Sequence, residues 1–353
     1  MFPYQSPTMR WIYYLFVFVL ITFFLEFTSA DPLFIFISSI LAILPLAAKM
    51  GEATEELAKH YGGHIGGLLN ATFGNAAELI IALIAISKGL IELVKASITG
   101  SIIGNILFVL GISMLLGGLK YKEQKFSTML AGTNSTMLLI AFLSLMIPSL
   151  FHLFPEHTIT KEVNLSLIVS VLLLLVYAGS LLFSLKTHKH LFITEHNEKP
   201  QWTKKKAAIV LALSTVILAL MSEALVSQVE VVAHNLHFGE VFIGAVIIAL
   251  VGNAAEHLAA IFFALKNEIN VAINITVGSS LQIAMFVAPV TVLAGVLFFN
   301  QPMDLVFAPF ELIAVFASVL IVNEISNDGK FNWFEGLQLI TMYIIIATLF
   351  YFI

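Results

Sequence analysis

The chain has 353 residues, 59% of them hydrophobic and 11% charged, with a formal net charge of −5 and no cysteine. Soluble globular domains carry about 25% charged residues, so this chain cannot cover itself in water and lipid must be its main solvent. Disulfides and thiolate metal sites are excluded, and the absence of a basic patch excludes nucleic acid as a partner.

A bilayer-spanning helix needs about 20 mostly apolar residues. That rule predicts eleven spans, at 11–28, 32–48, 65–88, 90–118, 127–147, 164–185, 205–230, 240–265, 270–299, 303–323 and 332–353. The apolar runs are continuous and do not alternate, so the fold class is an all-α polytopic membrane protein and not a barrel. The run from Trp11 to Phe27 has no clear small-residue cleavage site and is read as a span, not a signal peptide. Lysine and arginine set the orientation. With the N-terminus inside, only Lys88, Lys95 and Lys161 of the 17 basic residues fall on outside segments. The expectation is a multi-pass protein of the cell membrane with a cytoplasmic N-terminus and an external C-terminus. The longest polar connection, Lys186 to Lys206, is then cytoplasmic and divides the chain. The expected domains are an extra N-terminal helix (1–30), a first five-helix repeat (31–186), a linker (187–204) and a second five-helix repeat (205–353). No soluble catalytic domain fits between the spans, so neither an enzyme nor a cofactor is expected.

The third and eighth spans share a pentapeptide. Gly74-Asn75-Ala76-Ala77-Glu78 recurs as Gly252-Asn253-Ala254-Ala255-Glu256, a shift of 178 residues. In the same register Lys88 meets Lys266, Gly100 meets Gly278, Ser101 meets Ser279 and Gly117 meets Gly295. Five spans separate the copies, an odd number, so the two halves are inverted. Inverted repeats are a common plan of secondary transporters, with the binding site near the midplane.

A charged side chain at the centre of a membrane helix costs about 2.5–3.5 kcal/mol on insertion scales and normally marks an ion or proton path. Glu78 and Glu256 are the candidate ion-binding and proton-coupling carboxylates. Glycine beside asparagine weakens a helix, so breaks are expected near Gly74 and Gly252, freeing carbonyls beside Asn75 and Asn253. The alternative is that these glycines only permit close helix packing. A second polar layer is expected from Ser101 and Asn105, which share a helix face, and from Ser279 and Gln282, which share another. These four either complete the coordination shell or hydrogen-bond between helices. His257 and Ser280 are expected to stand behind the ligands, with a proton role for His257 as the alternative. The acidic residues Glu52, Glu55, Glu56, Glu223 and Glu230 are read as solvated helix ends before they are read as a cation-concentrating mouth.

An all-oxygen ligand set suits Ca²⁺, which takes 6–8 oxygens in irregular geometry. Two ionised glutamates neutralise one divalent cation. Without the cation, two carboxylates in low dielectric repel, and each takes up a proton. A site neutral in both states can cross the membrane loaded or protonated but not empty and charged, which is an antiporter's rule.

The two Gly-Asn-Ala-Ala-Glu copies, followed by Gly100-Ser101-Ile102-Ile103-Gly104-Asn105 and Gly278-Ser279-Ser280-Leu281-Gln282, resemble the cation/calcium exchanger superfamily, in particular its bacterial calcium/proton exchangers. The resemblance implies one extra N-terminal span ahead of two inverted five-span halves. It also implies Glu78 and Glu256 as carboxylates shared by Ca²⁺ and H⁺, with no cofactor and the lipid bilayer as surroundings. Sodium-coupled relatives usually carry a further acidic residue in the polar layer, so neutral Asn105 and Gln282 favour proton coupling. The linker, acidic in many relatives, here has only Glu195 and Glu198 among lysines. The alternatives are a sodium-coupled or Mn²⁺ exchanger and, further off, a cation channel; a homo-oligomer is compatible with the sequence.

Overall fold

The computed structural model describes residues 10–188, 199–326 and 328–353. Glu195, Glu198 and most of the expected linker lie outside these residues. The described chain is helical almost throughout. In chain order it holds α1 (Val17–Phe27), α2 (Pro32–Phe73), α3 (Ala76–Ser87), α4 (Ile91–Tyr121), α5 (Thr128–His152) and α6 (Ile159–Leu182). After the linker come α7 (Lys204–Leu236), α8 (Glu240–Gly252), α9 (Ala254–Leu265), α10 (Ile269–Leu297), α11 (Pro309–Ile325) and α12 (Trp333–Phe352). Short π-helical turns interrupt α4 at Gly104–Val109, α8 at Ile243–Ile248 and α10 at Ile283–Val287.

Among the described residues, seven helices are long and apolar enough to cross a membrane, or up to nine if each of two bent pairs is one span. The bent pairs coincide with the expected spans at 65–88 and 240–265. The two remaining expected spans fall on shorter helices, Trp11–Phe27 and the 17-residue α11. Helix α11 starts at Pro309, later than the expected 303, because 301–308 is not helical. That segment has side chains to bond to: Leu305 N donates to Ser166 Oγ at 2.9 Å and Phe307 N to Ser149 Oγ at 2.9 Å.

Lipid as solvent inverts the usual pattern of a helix face. On α6 the serines Ser166 and Ser170 are fully buried, while Ile168, Leu172 and Leu175 are exposed. Hydrocarbon offers a hydroxyl no partner, and turned inward Ser166 Oγ accepts from Leu305 N.

By internal packing the chain divides into two compact units. The first contains residues up to 84, 178–238 and 251–255. Its centre is the pairing of α2 with α7. Asp31 caps α2, accepting from Leu33 N at 2.9 Å ahead of Pro32, whose missing N–H costs nothing there. Although α2 is helical from Pro32 to Phe73, it is not straight. A Cβ on Gly66 would lie 3.1 Å from Ala58 Cβ, whereas eight residues of straight helix advance about 12 Å. The chain therefore doubles back between Ala58 and Gly66, which separates the spans expected at 32–48 and 65–88 without a break in helical bonding.

The second unit contains residues 85–177, 239–250 and 256–353. Here α4 and α12 cross closely at glycine, since a Cβ on Gly336 would lie 2.6 Å from Gly111 O. Such small-residue crossings replace the hydrophobic effect as the means of associating helices in lipid. A two-stranded antiparallel ribbon, Glu123–Lys125 with Lys330–Asn332, joins the end of α4 to the start of α12. The sequence reading contains no strand, because three residues carry no periodic signal. Asn332 then caps α12 with Glu335 in a reciprocal capping box.

Candidate cation site

Both copies of the pentapeptide fall on helix breaks. Ile65–Phe73 and Ala76–Ser87 are bent by 44°, with the break at Gly74-Asn75. Glu240–Gly252 and Ala254–Leu265 are bent by 61°, with the break at Asn253. Each break starts a new helix, and Glu78 and Glu256 each lie in its first turn. The first N–H groups of a helix have no intrahelical acceptor, and the dipole favours negative charge there by about 0.3–1 kcal/mol. Each break frees carbonyls, as Gly-Asn in an apolar run implies. The break also supplies a positive helix end beside each carboxylate.

In the first unit, Asn75 and Asn253 are fully buried and Glu78 is nearly so. Gly252 lies against the Glu78 side chain: a Cβ there would sit 3.1 Å from Glu78 Cγ and 3.6 Å from Cδ. Gly252 thus has a role beyond weakening its helix, because it leaves the space in which Glu78 lies. A methyl at that distance is tighter than ordinary van der Waals contact, so the Gly252→Ala variant must displace Glu78 by a few tenths of an ångström. We expect that variant to insert and elute as the wild type does, and to lose cation exchange several-fold in a vesicle assay. Unchanged exchange would show that the placement of Glu78 does not depend on this contact.

In the second unit, a chain of hydrogen bonds runs through the polar layer. His257 Nε2 donates to Asn105 Oδ1 at 2.9 Å, and Asn105 Nδ2 donates to Ser279 Oγ at 3.1 Å. The Ser279 hydroxyl, having accepted from Asn105, donates to the Glu256 carboxylate. Asn105 and Ser279 are 1% and 3% exposed, so these bonds are shielded from water. Among the described residues no hydrogen-bond donor reaches Glu256 Oε2, a buried acceptor that a cation or a proton would satisfy.

The other expected residues divide. Ser101 is buried and Gln282 partly so. The Ser280 hydroxyl donates to Thr276 O of its own helix at 3.0 Å, and it lies 3.4 Å from Ile102 O. Gly100 is packed hard against the backbone of Ala245, whereas its counterpart Gly278 faces open space.

Two of the acidic residues near the end of the second expected span, Glu52 and Glu56, are not solvated helix ends. Glu52 is 6% exposed and accepts from Tyr13 OH at 2.9 Å and Lys49 Nζ at 2.7 Å. Glu56 is 1% exposed and accepts from Gln201 N at 2.7 Å and Trp202 N at 2.8 Å. These side chains point into protein because Tyr13 packs beside Glu52, and the backbone at Gln201 and Trp202, just ahead of α7, closes over Glu56. Glu311 is a further buried carboxylate, and its place within an apolar run is the same sequence signal that marks Glu78. It is 2% exposed and accepts from Thr99 Oγ1 at 2.8 Å and Ala308 N at 3.0 Å, so it caps the start of α11.

A helical membrane fold with two broken helices, each starting afresh at a buried carboxylate, belongs with the ion exchangers. The sequence model of the sodium/calcium exchanger protein family matches residues 32–186 and 206–352, and the chain belongs to that family. It is a multi-pass membrane transporter, not an enzyme. It is 46% identical over 344 residues to a Ca²⁺/H⁺ antiporter of Aphanothece halophytica, covering 91% of each chain. It is 47% identical over 312 residues to the Ca²⁺/H⁺ antiporter ChaA of Bacillus subtilis (strain 168), covering 86% of this chain and 88% of the relative. Among solved structures, that of native YfkE superposes with a TM-score of 0.86 at 41% identity, covering 97% of this chain and 100% of the other.

Proposed function

We propose that this chain exchanges Ca²⁺ for H⁺ across the cell membrane, with Glu78 and Glu256 serving in turn as Ca²⁺ ligands and as proton carriers. The observation that carries this reading is the placing of the same carboxylate in the first turn after a helix break in both copies. The relatives at 46% and 47% identity that are Ca²⁺/H⁺ antiporters support the choice of ions. Asn75 and Asn253, with carbonyls at Gly74 and Gly252, are the neighbouring oxygen donors. Ser279 positions Glu256, and Asn105 bridges Ser279 to His257. That role replaces direct coordination for Asn105, whose amide is engaged at both ends. Ser101 and Gln282 are kept as candidate ligands, and Ser280 as a helix-packing hydroxyl.

The two halves, 31–186 and 205–353, act as inverted repeats joined by a cytoplasmic linker. The family model supports this by matching one segment in each half. So does the approach of Ser280 to Ile102, which are the same position in the two copies, 178 residues apart. Equivalent positions meet only near a two-fold axis. One chain carries both carboxylates, so the ligand pair needs no residue from a second copy. Occupied by Ca²⁺ the pair is neutral, and protonated it is neutral again; the charged empty state is the one held back by the cost of a bare charge in lipid.

The test uses sealed vesicles with an imposed pH gradient and radioactive calcium. Uptake should follow the proton gradient, collapse with a protonophore and ignore sodium. Uptake driven by a sodium gradient instead would overturn proton coupling, and passive flux without either gradient would indicate a channel.

A further inference from the structure

We infer that His152, His157 and Glu162 form a binding site for a divalent transition metal of the Zn²⁺ class, at the connection between α5 and α6 and apart from the repeated motifs. One ligand atom from each of the three lies within 4.8 Å of the others. His152 is the last residue of α5, His157 lies in the connection, and Glu162 is in the first turn of α6. His152 Nδ1 is 2.8 Å from Glu162 Oε1, and His157 Nε2 is 4.0 Å from the same oxygen.

Three features distinguish this cluster from a chance meeting of polar side chains. The first is the tautomer of His157. Its Nδ1 lies 2.8 Å from Phe154 O, which can only accept, so Nδ1 carries the hydrogen and Nε2 presents its lone pair. Metal-binding histidines are typically held this way, with the other nitrogen donating to a backbone carbonyl. The second is the contrast in burial. The Glu162 side chain is 5% exposed, while the imidazoles of His152 and His157 are 50% and 41% exposed, so a fixed carboxylate faces two rings that solvent can reach. The third is the support beneath the ligands. Ser149, one turn before His152, and Ser166, one turn after Glu162, both bond the non-helical segment at Leu305 and Phe307. The end of α5 and the start of α6 are thereby tied to one strip of backbone.

The donor set selects the ion. Two imidazoles and one carboxylate leave a fourth position open, as in a tetrahedral three-ligand zinc centre. Imidazole suits zinc, cobalt, nickel and copper, whereas calcium and magnesium take oxygen. Entry of the metal needs the His152–Glu162 hydrogen bond to open and the His152 proton on Nδ1 to be lost or moved to Nε2.

The experiment titrates the purified full-length protein with Co²⁺ and reads the visible absorption of tetrahedral cobalt. One Co²⁺ per chain is expected, displaced by Zn²⁺ and not by excess Ca²⁺. Losing a ligand should cost at least the roughly 10–100-fold that removing a supporting residue costs. The double variant His152→Ala, His157→Ala should therefore bind Co²⁺ at least tenfold more weakly. Both side chains are substantially exposed, so the variant should fold, and calcium uptake in metal-free vesicles checks that it has. His157→Gln is the second variant, expected to give the same loss alone. No tetrahedral spectrum from the wild type, or a spectrum that survives the double variant, would overturn the assignment. In that case the His152–Glu162 contact is a hydrogen bond that closes the end of α5.

Discussion

Replacing either Glu78 or Glu256 by glutamine is expected to abolish calcium exchange while leaving the protein folded in its membrane. Glutamine keeps the size of the side chain and an acceptor oxygen, so packing against Gly252 and the bond from Ser279 persist. What changes is charge. With one carboxylate left, the Ca²⁺-loaded site carries a net positive charge, and only the singly protonated site is neutral. A bare charge at mid-membrane costs about 2.5–3.5 kcal/mol, equivalent to roughly 100-fold in the population able to cross. Loss of a ligand weakens binding on top of that. Folding should not suffer, because a buried amide is cheaper to desolvate than a buried carboxylate. Thermal unfolding in calcium-free detergent should match the wild type or lie above it. The measurement is gradient-driven ⁴⁵Ca²⁺ uptake, normalised to protein in the vesicle; near-normal exchange by either variant would remove the basis of the paired-carboxylate reading.

Much of this was legible in the sequence, and the parts that were not have physical reasons. Span positions follow from the length of apolar run needed to cross a bilayer, a strong signal when charge is scarce. Glu78 and Glu256 stand out for the same reason, since a carboxylate is rare in such runs and a repeated one rarer. The helix breaks were foreseeable from Gly74-Asn75 and Gly252-Asn253, but their consequence for Glu78 was not. Only the fold shows that Gly252, far away in sequence, leaves the room that the Glu78 side chain occupies. The doubling back of α2 between Ala58 and Gly66 was equally hidden. Glu52 and Glu56 read as solvent-facing from composition, and it is partners distant in sequence, Tyr13 for the first and the backbone of Gln201 and Trp202 for the second, that enclose them. Pairings such as Asn105 with Ser279 and Lys95 with Asp304 (2.7 Å) join residues more than a hundred positions apart, which no local pattern encodes.

The Asn105 side chain offers a way to separate the positioning of Glu256 from its charge. Its amide is a two-ended connector: the oxygen takes the His257 N–H and the nitrogen donates to Ser279, which holds Glu256. Asn105→Leu conserves bulk and removes both ends. His257, only 9% exposed, is left with a buried donor, and Ser279 loses the donor that orients its hydroxyl. The orphaned His257 N–H costs about 1–3 kcal/mol, so the unfolding temperature should fall, and exchange should drop at least tenfold because the Ser279 hydroxyl no longer holds Glu256 in a fixed place. Asn105→Asp acts differently. It keeps an acceptor for His257 but cannot donate to Ser279, whose hydroxyl then faces two carboxylates. By the charge rule, a third carboxylate leaves the Ca²⁺ state with one negative charge uncompensated. Stability should stay closer to the wild type than in the leucine variant. Exchange driven by protons alone should fall, with recovery when a monovalent cation such as sodium is supplied to fill the deficit. Uptake with and without sodium, set beside the unfolding temperature of both variants, distinguishes the two effects. Leucine and aspartate variants that both exchange normally would show that Asn105 neither positions Glu256 nor sets the charge of the site.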